Sequence, residues 1–265
     1  AMKSLALCLK QGLWPSYLSV PDGGDPDDFV RDHGAEAMQR LIEQHRPLAD
    51  VFLEDSLARG RLLLLSAPTG TGKTAAVLQG AIRHAYATGG RIFVATAKGT
   101  QREMMERTLA AMAEEGLPLR SVSLRARERV CLHTEVDCRP EVCRFAENHH
   151  DKVREAALVD RLLEEGVLSS EAVVKAASTH EVCPHGLASE VSDRVDVVVG
   201  DYNYAFHPQV VLGMFQEDTD WFVVVDEAHN LVERAREYRS AFLYGARAQE
   251  AATWLESVLA IPRVV

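Results

Sequence analysis

The sequence lacks the features that mark several large classes of protein. No apolar run approaches the roughly 18 residues of a membrane-spanning helix, and the longest are Leu62–Leu65 and Phe222–Val225. It has no internal repeats and no low-complexity tract. Its 5 cysteines are odd in number, which argues against a disulfide framework. These absences exclude a collagen-like chain, a small disulfide scaffold and a membrane span, and we expect a folded cytoplasmic protein.

An excess of positive charge is also absent. The chain of 265 residues carries 29 lysines and arginines against 39 aspartates and glutamates, so its net charge is −10. This balance excludes a protein that coats nucleic acid through its bulk charge, although a local basic groove remains compatible with it. The hydrophobic share of 47% and the charged share of 26% are ordinary for a folded soluble protein. The length predicts one or two domains.

Short apolar strands alternate with amphipathic helices along the chain. The predicted strands are Arg61–Ser66, Arg91–Thr96, Val195–Gly200 and Phe222–Val225, and the predicted helices are Ala35–His45, Thr74–Ala87 and Gln101–Glu114. The alternation predicts an α/β fold with a parallel sheet and helices on both faces. Residues 116–190 contain no strong apolar strand, so a mostly helical, cysteine-bearing insertion is expected to split the α/β domain. After Asn230 the chain is predicted to be helical and charged.

The segment SAPTGTGKT has the glycine-rich pattern of a phosphate-binding loop between a predicted strand and helix. Gly70 and Gly72 let successive backbone N–H groups face a phosphate, and the helix N-terminus adds a positive dipole end. Lys73 would reach the β and γ phosphates, and the Thr74 hydroxyl would bind Mg²⁺. A chance glycine-rich turn is the alternative, which the strand–loop–helix context disfavours. The predicted ATP-binding residues are Ala67, Pro68, Thr69, Gly70, Thr71, Gly72, Lys73 and Thr74.

A second motif is the apolar strand of Phe222–Val225, which ends in the acidic residues Asp226 and Glu227. Ligands of parallel sheets lie at the carboxyl ends of the strands, where the phosphate loop also lies. Asp226 would hold Mg²⁺ through its water shell, Glu227 would orient or deprotonate the attacking water, and His229 could sense the nucleotide state. Together with Lys73 these residues form the predicted catalytic set. The DEAH spacing after a phosphate loop predicts a nucleic-acid-dependent ATPase.

Four of the five cysteines lie in one part of the chain, with the spacing Cys131-x6-Cys138-x4-Cys143-x39-Cys183. Four thiolates can hold a [4Fe–4S] cluster or a Zn²⁺ ion. Paired short cysteine spacings are typical of zinc sites, so this irregular spacing favours the cluster. A mixed site stays open because of His150, His180 and His185, and buried free cysteines are a further alternative. Cys8 lies outside the group.

These motifs resemble the XPD/DinG-type iron–sulfur DNA helicases of superfamily 2, and more closely their bacterial relatives. The matching stretches are SAPTGTGKT (66–74), FVATAKGTQ (93–101), ARERVCLHTEVDCRPEVCRFA (126–146), VCPHGLASE (182–190), VVVGDYNYAFHP (197–208) and VVVDEAHNLVERARE (223–237). The resemblance implies a [4Fe–4S] cluster held by the four cysteines, ATP hydrolysis with Mg²⁺, and 5′ to 3′ translocation on single-stranded DNA. It implies a bacterial-type cytoplasmic protein that joins the nucleoid when bound to DNA, with DNA repair among the pathways that fit.

The resemblance also predicts the domain organisation. Residues 1–115 would form the first part of a RecA-like lobe, 116–190 the iron–sulfur domain, 191–231 the return to the lobe, and 232–265 the start of a truncated helical arch. Such helicases need a second RecA-like lobe, so the chain is expected to be an N-terminal fragment with weak activity alone. A clear glutamine motif for adenine is missing, and Gln39 is a weak candidate for that role.

The predicted DNA contacts fall in three groups, and the expected partners are single-stranded DNA and duplex junctions. The groups are Lys98, Thr100 and Gln101 after a strand, Arg125, Arg127 and Arg129 before Cys131, and Tyr202 and Tyr204, which could stack on bases. The arginines could equally form a solvated face, and the tyrosines could be core aromatics. His149 and His150 look like ordinary surface residues.

Two rival functions remain at this point. One is a non-catalytic DNA-binding module that contains a structural cluster. The other is a P-loop ATPase with a four-cysteine zinc site and no role on DNA. Iron, sulfide and zinc analysis separates the metal alternatives, and replacement of Lys73 separates a motor from a binding module.

Overall fold

A computed structural model describes residues 16–21, 25–47, 51, 55, 60, 62–66, 72–210, 212, 215, 221–240 and 249–254. The strands are β1 (Ser16–Tyr17), β2 (Arg46–Pro47), β3 (Arg91–Thr96), β4 (Ser121–Ser123), β5 (Val167–Leu168), β6 (Val197–Asp201) and β7 (Trp221–Val225). The helices are α1 (Pro26–His33), α2 (Ala35–Glu43), α3 (Lys73–Thr88), α4 (Gly99–Glu114), α5 (Arg127–Val130), α6 (His149–Glu155), α7 (Leu158–Glu165), α8 (Ser170–Thr179), α9 (Pro184–Ser192), α10 (Tyr202–Phe206) and α11 (Leu231–Arg239). A 3₁₀ turn covers Ala228–Asn230.

The main sheet has five strands in the order β5-β4-β6-β3-β7, and every pair in it is parallel. In the register, Val94 of β3 lies between Val199 of β6 and Val224 of β7. A separate antiparallel pair joins β1 to β2. The predicted α/β fold with a parallel sheet is confirmed.

Both faces of this sheet are covered, because successive side chains of β3 point to opposite sides. Ile92 and Val94 belong to a core with residues of α3 and α4, among them Leu78 and Leu109. The other face of β3 presents Phe93 and Ala95 to a core formed by α6 to α10. Each fully buried large apolar side chain contributes about 1.5–3 kcal/mol, so the two helix layers hold the sheet from both sides.

Two strands lie within the segment where no strong apolar strand was expected. β4 pairs with β6, and β5 pairs with β4 at the far edge of the sheet. They contain only 3 and 2 residues, and β4 has the sequence SVS, so their apolar signal is weak. The helices α6 to α9 pack in the same core as β3 and β6. The segment 116–190 is therefore about half helical, which is less helix than expected, and it is continuous with the sheet.

The strand predicted over Arg61–Ser66 is wrong for its described part. Residues 62–66 form no strand, and Leu62 and Leu64 are 88% and 79% exposed. A strand forms when a neighbour pairs with its backbone groups, and no strand of the described chain pairs with this segment. Consequently β7 is an edge strand of the described sheet, with β3 on its only paired side.

The other predicted elements agree with the structure to within about two residues at most ends. The helix predicted over Thr74–Ala87 is α3, the strand predicted over Arg91–Thr96 is β3, and the helical character expected after Asn230 is found in α11. Within the described ranges, the structure contains no helix whose length and hydropathy would allow it to cross a membrane.

Candidate functional site

Three of the predicted motifs meet at one edge of the sheet. Lys98 follows β3, Tyr202 follows β6, and Asp226 follows β7. Because these strands are parallel and adjacent, their carboxyl ends lie side by side, which is where parallel sheets bind ligands. The order of the strands therefore places the acidic motif next to the segment that begins at Lys98.

Asp226 is held at this edge by its own backbone. Its N–H donates to the carbonyl oxygen of Ala95 at 3.0 Å, which extends the pairing of β7 with β3. The side chain is half-buried, and its Oδ2 atom is buried without a hydrogen-bond partner. Burial raises the pKa of Asp226, and the neighbouring Glu227 raises it further, whereas the charge of Lys73 acts in the opposite direction. The charge of Lys73 at the start of α3 therefore acts on Asp226 across this edge of the sheet.

The residues around Asp226 fit a hydrated Mg²⁺ ion. A buried carboxylate oxygen without a partner is costly unless a cation or water satisfies it, and Mg²⁺ prefers such oxygen ligands. Lys73 and Thr74 begin α3, and Gly72 before them has φ 75°, a left-handed conformation that glycine adopts without strain. The predicted loop residues Ala67, Pro68, Thr69, Gly70 and Thr71 lie outside the described residues.

Glu227 has an unusual backbone conformation, with φ 49° and ψ 49°. Non-glycine residues in this left-handed region are uncommon and cost on the order of 1–3 kcal/mol. Its carbonyl oxygen accepts hydrogen bonds from Asn230 N at 2.9 Å and from Asn230 Nδ2 at 3.1 Å, which close the turn. Its carboxylate is exposed, and Oε2 lies 3.4 Å from Nδ1 of the exposed His229. The side chain is therefore free to meet a ligand at the edge.

The two tyrosines after β6 are core residues rather than a base-stacking surface. Tyr202 is 0% exposed and Tyr204 is 7% exposed. The hydroxyl of Tyr202 donates to the carbonyl oxygens of Asp226 and Glu227. Burial and nearby acids raise the pKa of Tyr202 to about 12, and burial and Asp201 raise that of Tyr204 to about 12. The predicted stacking of Tyr202 and Tyr204 on DNA bases is therefore wrong for this structure, because neither ring is accessible.

The three predicted DNA contacts after β3 have different environments, because Gln101 is a structural residue whereas Lys98 and Thr100 are exposed. The Oε1 atom of Gln101 accepts hydrogen bonds from Ala97 N at 3.0 Å and Lys98 N at 2.9 Å. Gln101 therefore caps the start of α4, since it satisfies backbone donors beside the first turn. Lys98 and Thr100 are exposed at the carboxyl end of β3, and both are available for a ligand.

The arginines before Cys131 also have different environments. Arg125 is partly buried and pairs with Glu171 at 2.7 Å and with Glu103 at 4.0 Å. Arg127 and Arg129 are exposed. A groove of about 510 Å³ runs between α5 and α8, and its lining includes Arg129 and Lys175. Arg125 is neutralised by its acidic partners, whereas Arg127 and Arg129 remain candidates for phosphate contacts.

The four clustered cysteines lie at the ends of short elements. Cys131 follows α5, Cys183 precedes α9, and these two helices pack against each other. Cys138 and Cys143 are joined by a turn in which Cys143 N donates to the carbonyl oxygen of Arg139 at 2.9 Å. Cys143 is buried, Cys138 is exposed, and the other two are intermediate. Cys8 lies outside the described residues.

Further contacts tie the cysteine-bearing segments together. The rings of His133 and Phe145 meet edge to face with centroids 5.1 Å apart, which links the segments of the first and third cysteines. Lys152 Nζ donates to the carbonyl oxygen of Arg144 at 3.1 Å and to that of Glu181 at 3.2 Å. This second bridge links the segments of the third and fourth cysteines, so all four cysteines belong to one packed region.

The two metal alternatives require different spacings between their thiolates. In a tetrahedral zinc site the thiolates lie about 3.8 Å apart, given a Zn–S bond of about 2.3 Å. In the described part of the chain, the group of metal-ligating side chains with atoms within 4.8 Å of one another is His149, His150 and Glu190, and it includes no cysteine. A cubane holds its thiolates farther apart, because each binds a different iron. The four thiolates lie in one region and are a donor set that either a cluster or a zinc ion accepts, and in the described structure they do not form the compact group of an occupied zinc site.

His149 is a residue that sequence reasoning missed. It is 7% exposed, and its Nδ1 atom accepts a hydrogen bond from Cys183 N at 3.2 Å. Its Nε2 atom lies 3.2 Å from Oε1 of Glu190, which also contacts Nδ1 of His150 at 2.7 Å. Burial lowers the pKa of His149, so the ring is neutral and carries its proton on Nε2. The expectation of an ordinary surface residue holds for His150 and is wrong for His149.

Comparison with known sequences places this site in a family. A sequence model described as DEAD_2 matches residues 96–246, which is more than half of the chain. The chain belongs to the DEAD_2 family. This membership confirms the resemblance to XPD/DinG-type helicases that the motifs indicated. The DEAD_2 match covers the segment after β3, the four clustered cysteines and the acidic motif after β7.

The DEAD_2 relatives include several named helicases. The chain is 25% identical over 216 residues to "General transcription and DNA repair factor IIH helicase subunit XPD" of Dictyostelium discoideum, covering 68% of this chain and 27% of that protein. It is 28% identical over 128 residues to "Regulator of telomere elongation helicase 1" of Homo sapiens, covering 44% of this chain and 10% of that protein. The solved structure of an XPD helicase gives a TM-score of 0.49 at 19% identity, covering 69% of this chain and 32% of that chain. The chain thus spans about a quarter or less of the length of these curated relatives.

Proposed function

We propose that this chain is the nucleotide-binding motor portion of an ATP-dependent DNA helicase of the XPD/DinG type. The observation that carries the proposal is the environment of Asp226 in a DEAD_2 protein. A half-buried carboxylate with an unpartnered Oδ2 atom lies at the carboxyl edge of a parallel sheet, where burial raises its pKa and the charge of Lys73 acts to lower it. This arrangement supports binding of a nucleotide triphosphate with its Mg²⁺ ion.

In the proposed reaction, each residue at the edge has a separate task. Lys73 binds the β and γ phosphates, and the Thr74 hydroxyl and Asp226 hold Mg²⁺. When bound, the ion neutralises charge that develops on the phosphate oxygens. Glu227 orients the attacking water and accepts its proton, and His229 beside it responds to the state of the nucleotide. The half-buried position of Asp226 strengthens these interactions because less water screens them.

The DNA strand is proposed to cross the same edge and the cysteine region. Lys98 and Thr100 would contact its backbone after β3, and Arg127 and Arg129 would contact phosphates beside the groove between α5 and α8. We propose 5′ to 3′ movement on single-stranded DNA, with duplex junctions as substrates. A second RecA-like lobe in the whole protein would close on the nucleotide, and the whole protein would act in the bacterial cytoplasm on the nucleoid.

Cys131, Cys138, Cys143 and Cys183 are proposed to hold a [4Fe–4S] cluster. The irregular spacing of these cysteines supports this assignment over zinc, because zinc sites typically use closely spaced cysteine pairs. When bound, the cluster would supply four strong iron–thiolate bonds that cross-link segments far apart in sequence. Its proposed role is to make this region rigid where the duplex is split.

The decisive experiment measures ATP hydrolysis by the purified full-length protein with and without single-stranded DNA. We expect stimulation by DNA, and we expect K73A to abolish hydrolysis while DNA binding is retained. A protein that binds DNA equally well with or without nucleotide, and never hydrolyses ATP, would be a binding module instead. Iron and sulfide near 4 each per chain are expected, and stoichiometric zinc without iron would exclude the cluster.

A further inference from the structure

Tyr202 joins the ends of two strands that are not neighbours in the sheet. It directly follows β6, and its hydroxyl donates to the carbonyl oxygens of Asp226 and Glu227 after β7, the latter at 3.0 Å. β3 lies between these strands, so they run about 10 Å apart. The side chain therefore crosses the end of β3, and it is 0% exposed there.

One hydrogen bond of the Tyr202 hydroxyl reaches Glu227, the residue of the acidic pair with the strained backbone. Glu227 has φ 49°, and its carbonyl oxygen has three donors, of which two belong to Asn230 in the same turn. Tyr202 is the third, and within the described chain it is the donor that comes from outside this turn. The turn is therefore closed by Asn230 but fixed relative to the rest of the sheet by Tyr202.

The hydroxyl is well suited to a permanent donor role. Both of its partners are carbonyl oxygens, which accept hydrogen bonds and cannot donate them, so the hydroxyl acts as the donor in each contact. The following residue is held as well, since Asn203 Oδ1 accepts a hydrogen bond from Tyr238 of α11 at 2.7 Å. The segment after β6 is thus bound to both the acidic pair and the helix that follows it.

We propose that Tyr202 is a positioning residue for nucleotide hydrolysis, which sets the place of both carboxylates by holding the carbonyl groups of Asp226 and Glu227. This inference rests on the proposed function. Tyr202 itself touches no nucleotide and no DNA. Without its hydroxyl, the turn can shift relative to Lys73, so the Mg²⁺-dependent part of nucleotide binding and the hydrolytic step are weakened. Nucleotide contacts that do not involve Mg²⁺ are unchanged.

The test compares Y202F with Y238F, because both variants remove one hydroxyl and its hydrogen bond. The affinity for a fluorescent ATP analogue is measured with Mg²⁺ and with EDTA, and kcat and KM are measured for ATP. For Y202F, we expect the ratio of the affinity with Mg²⁺ to the affinity in EDTA to fall at least fivefold. We expect its kcat for ATP to fall at least tenfold. Its affinity in EDTA stays within threefold of that of the unchanged protein, its KM for ATP rises in step with the lost Mg²⁺-dependent affinity, and Y238F stays within twofold throughout.

Folding of each variant is checked by its thermal unfolding midpoint. If Y202F does not fold, Y202M takes its place, since it also lacks the hydroxyl and its flexible side chain fills a buried site, and the same losses are expected. A folded Y202F or Y202M protein that matches Y238F overturns the inference. If the unchanged protein shows no Mg²⁺-dependent nucleotide binding, the proposed function itself fails.

Discussion

The backbone N–H of Cys183 donates to Nδ1 of His149, 3.2 Å away in the interior of the cysteine region. The ring also lies against Gly186, where an added Cβ would meet Nε2 at 2.6 Å, so the turn into α9 has room for glycine alone. His149 therefore defines the position of the fourth clustered cysteine. This role does not depend on whether iron is bound, because the hydrogen bond goes to the backbone.

We predict that H149A destabilises the protein by about 1–3 kcal/mol, because it leaves the N–H of the partly buried Cys183 without its hydrogen-bond acceptor. H149N keeps an acceptor and restores part of the loss. H150A is the matched control, since His150 is next to it in sequence but its side chain is 85% exposed. Urea unfolding gives the free energies, and iron retention during dialysis should follow the same order. Equal effects of H149A and H150A would contradict the role.

A second prediction concerns the exposed segment before α3. Leu64 is 79% exposed, so L64K should change the free energy of unfolding by less than about 0.5 kcal/mol. Leu109 of α4 is 0% exposed, and L109A should cost about 2–5 kcal/mol through lost burial and the cavity left behind. Urea unfolding without nucleotide measures both. A loss of 2 kcal/mol or more for L64K would show that this segment packs as a strand, as its sequence predicts.

Sequence patterns predicted those elements that bury a continuous apolar run. Arg91–Thr96 was predicted without error because five of its residues are buried between two neighbouring strands. β4 has the sequence SVS and owes its place to its neighbours, so its local pattern carried little signal. Leu62–Ser66 shows the reverse case, since its apolar pattern predicts a strand that the described structure does not contain.

The candidate site follows the same rule. Asp226 can be predicted from sequence because an apolar strand followed by acidic residues is a local pattern. The parallel sheet then places this residue at its carboxyl edge, where ligands bind. Tyr202 and His149 act through contacts to residues 24 and 34 positions away in the chain, so no local pattern could reveal them. The DYNY segment looked like an aromatic surface for bases, and only the packing of α10 against β3 shows that its rings are internal.

The buried tyrosines predict a loss of stability at high pH. Burial raises the pKa of Tyr202 and Tyr204 to about 12, above the ordinary value of 10.0. The folded state therefore retains protons that the unfolded state loses, so the contribution of these two tyrosines to the free energy of unfolding is constant below about pH 10 and falls between about pH 10 and 12. Y204F should show a smaller fall over this window. Urea unfolding at pH 9 and pH 11 measures it, and parallel behaviour of both proteins would contradict the prediction.

Salt dependence tests which arginines contact DNA. Each phosphate contact to single-stranded DNA adds about 0.7 to the slope of log affinity against log salt, so R127A/R129A should reduce the slope by about 1.4. The matched control is R31A/R194A, which removes the same charge at arginines paired with Asp28 at 3.0 Å and Asp160 at 2.6 Å. Fluorescence anisotropy with an oligothymidine between 50 and 200 mM salt gives the slopes. Both double variants remove two positive charges, so their bulk attraction for DNA falls equally. A difference between their slopes therefore reports the local phosphate contacts of Arg127 and Arg129. Equal slopes would show that the DNA binds elsewhere.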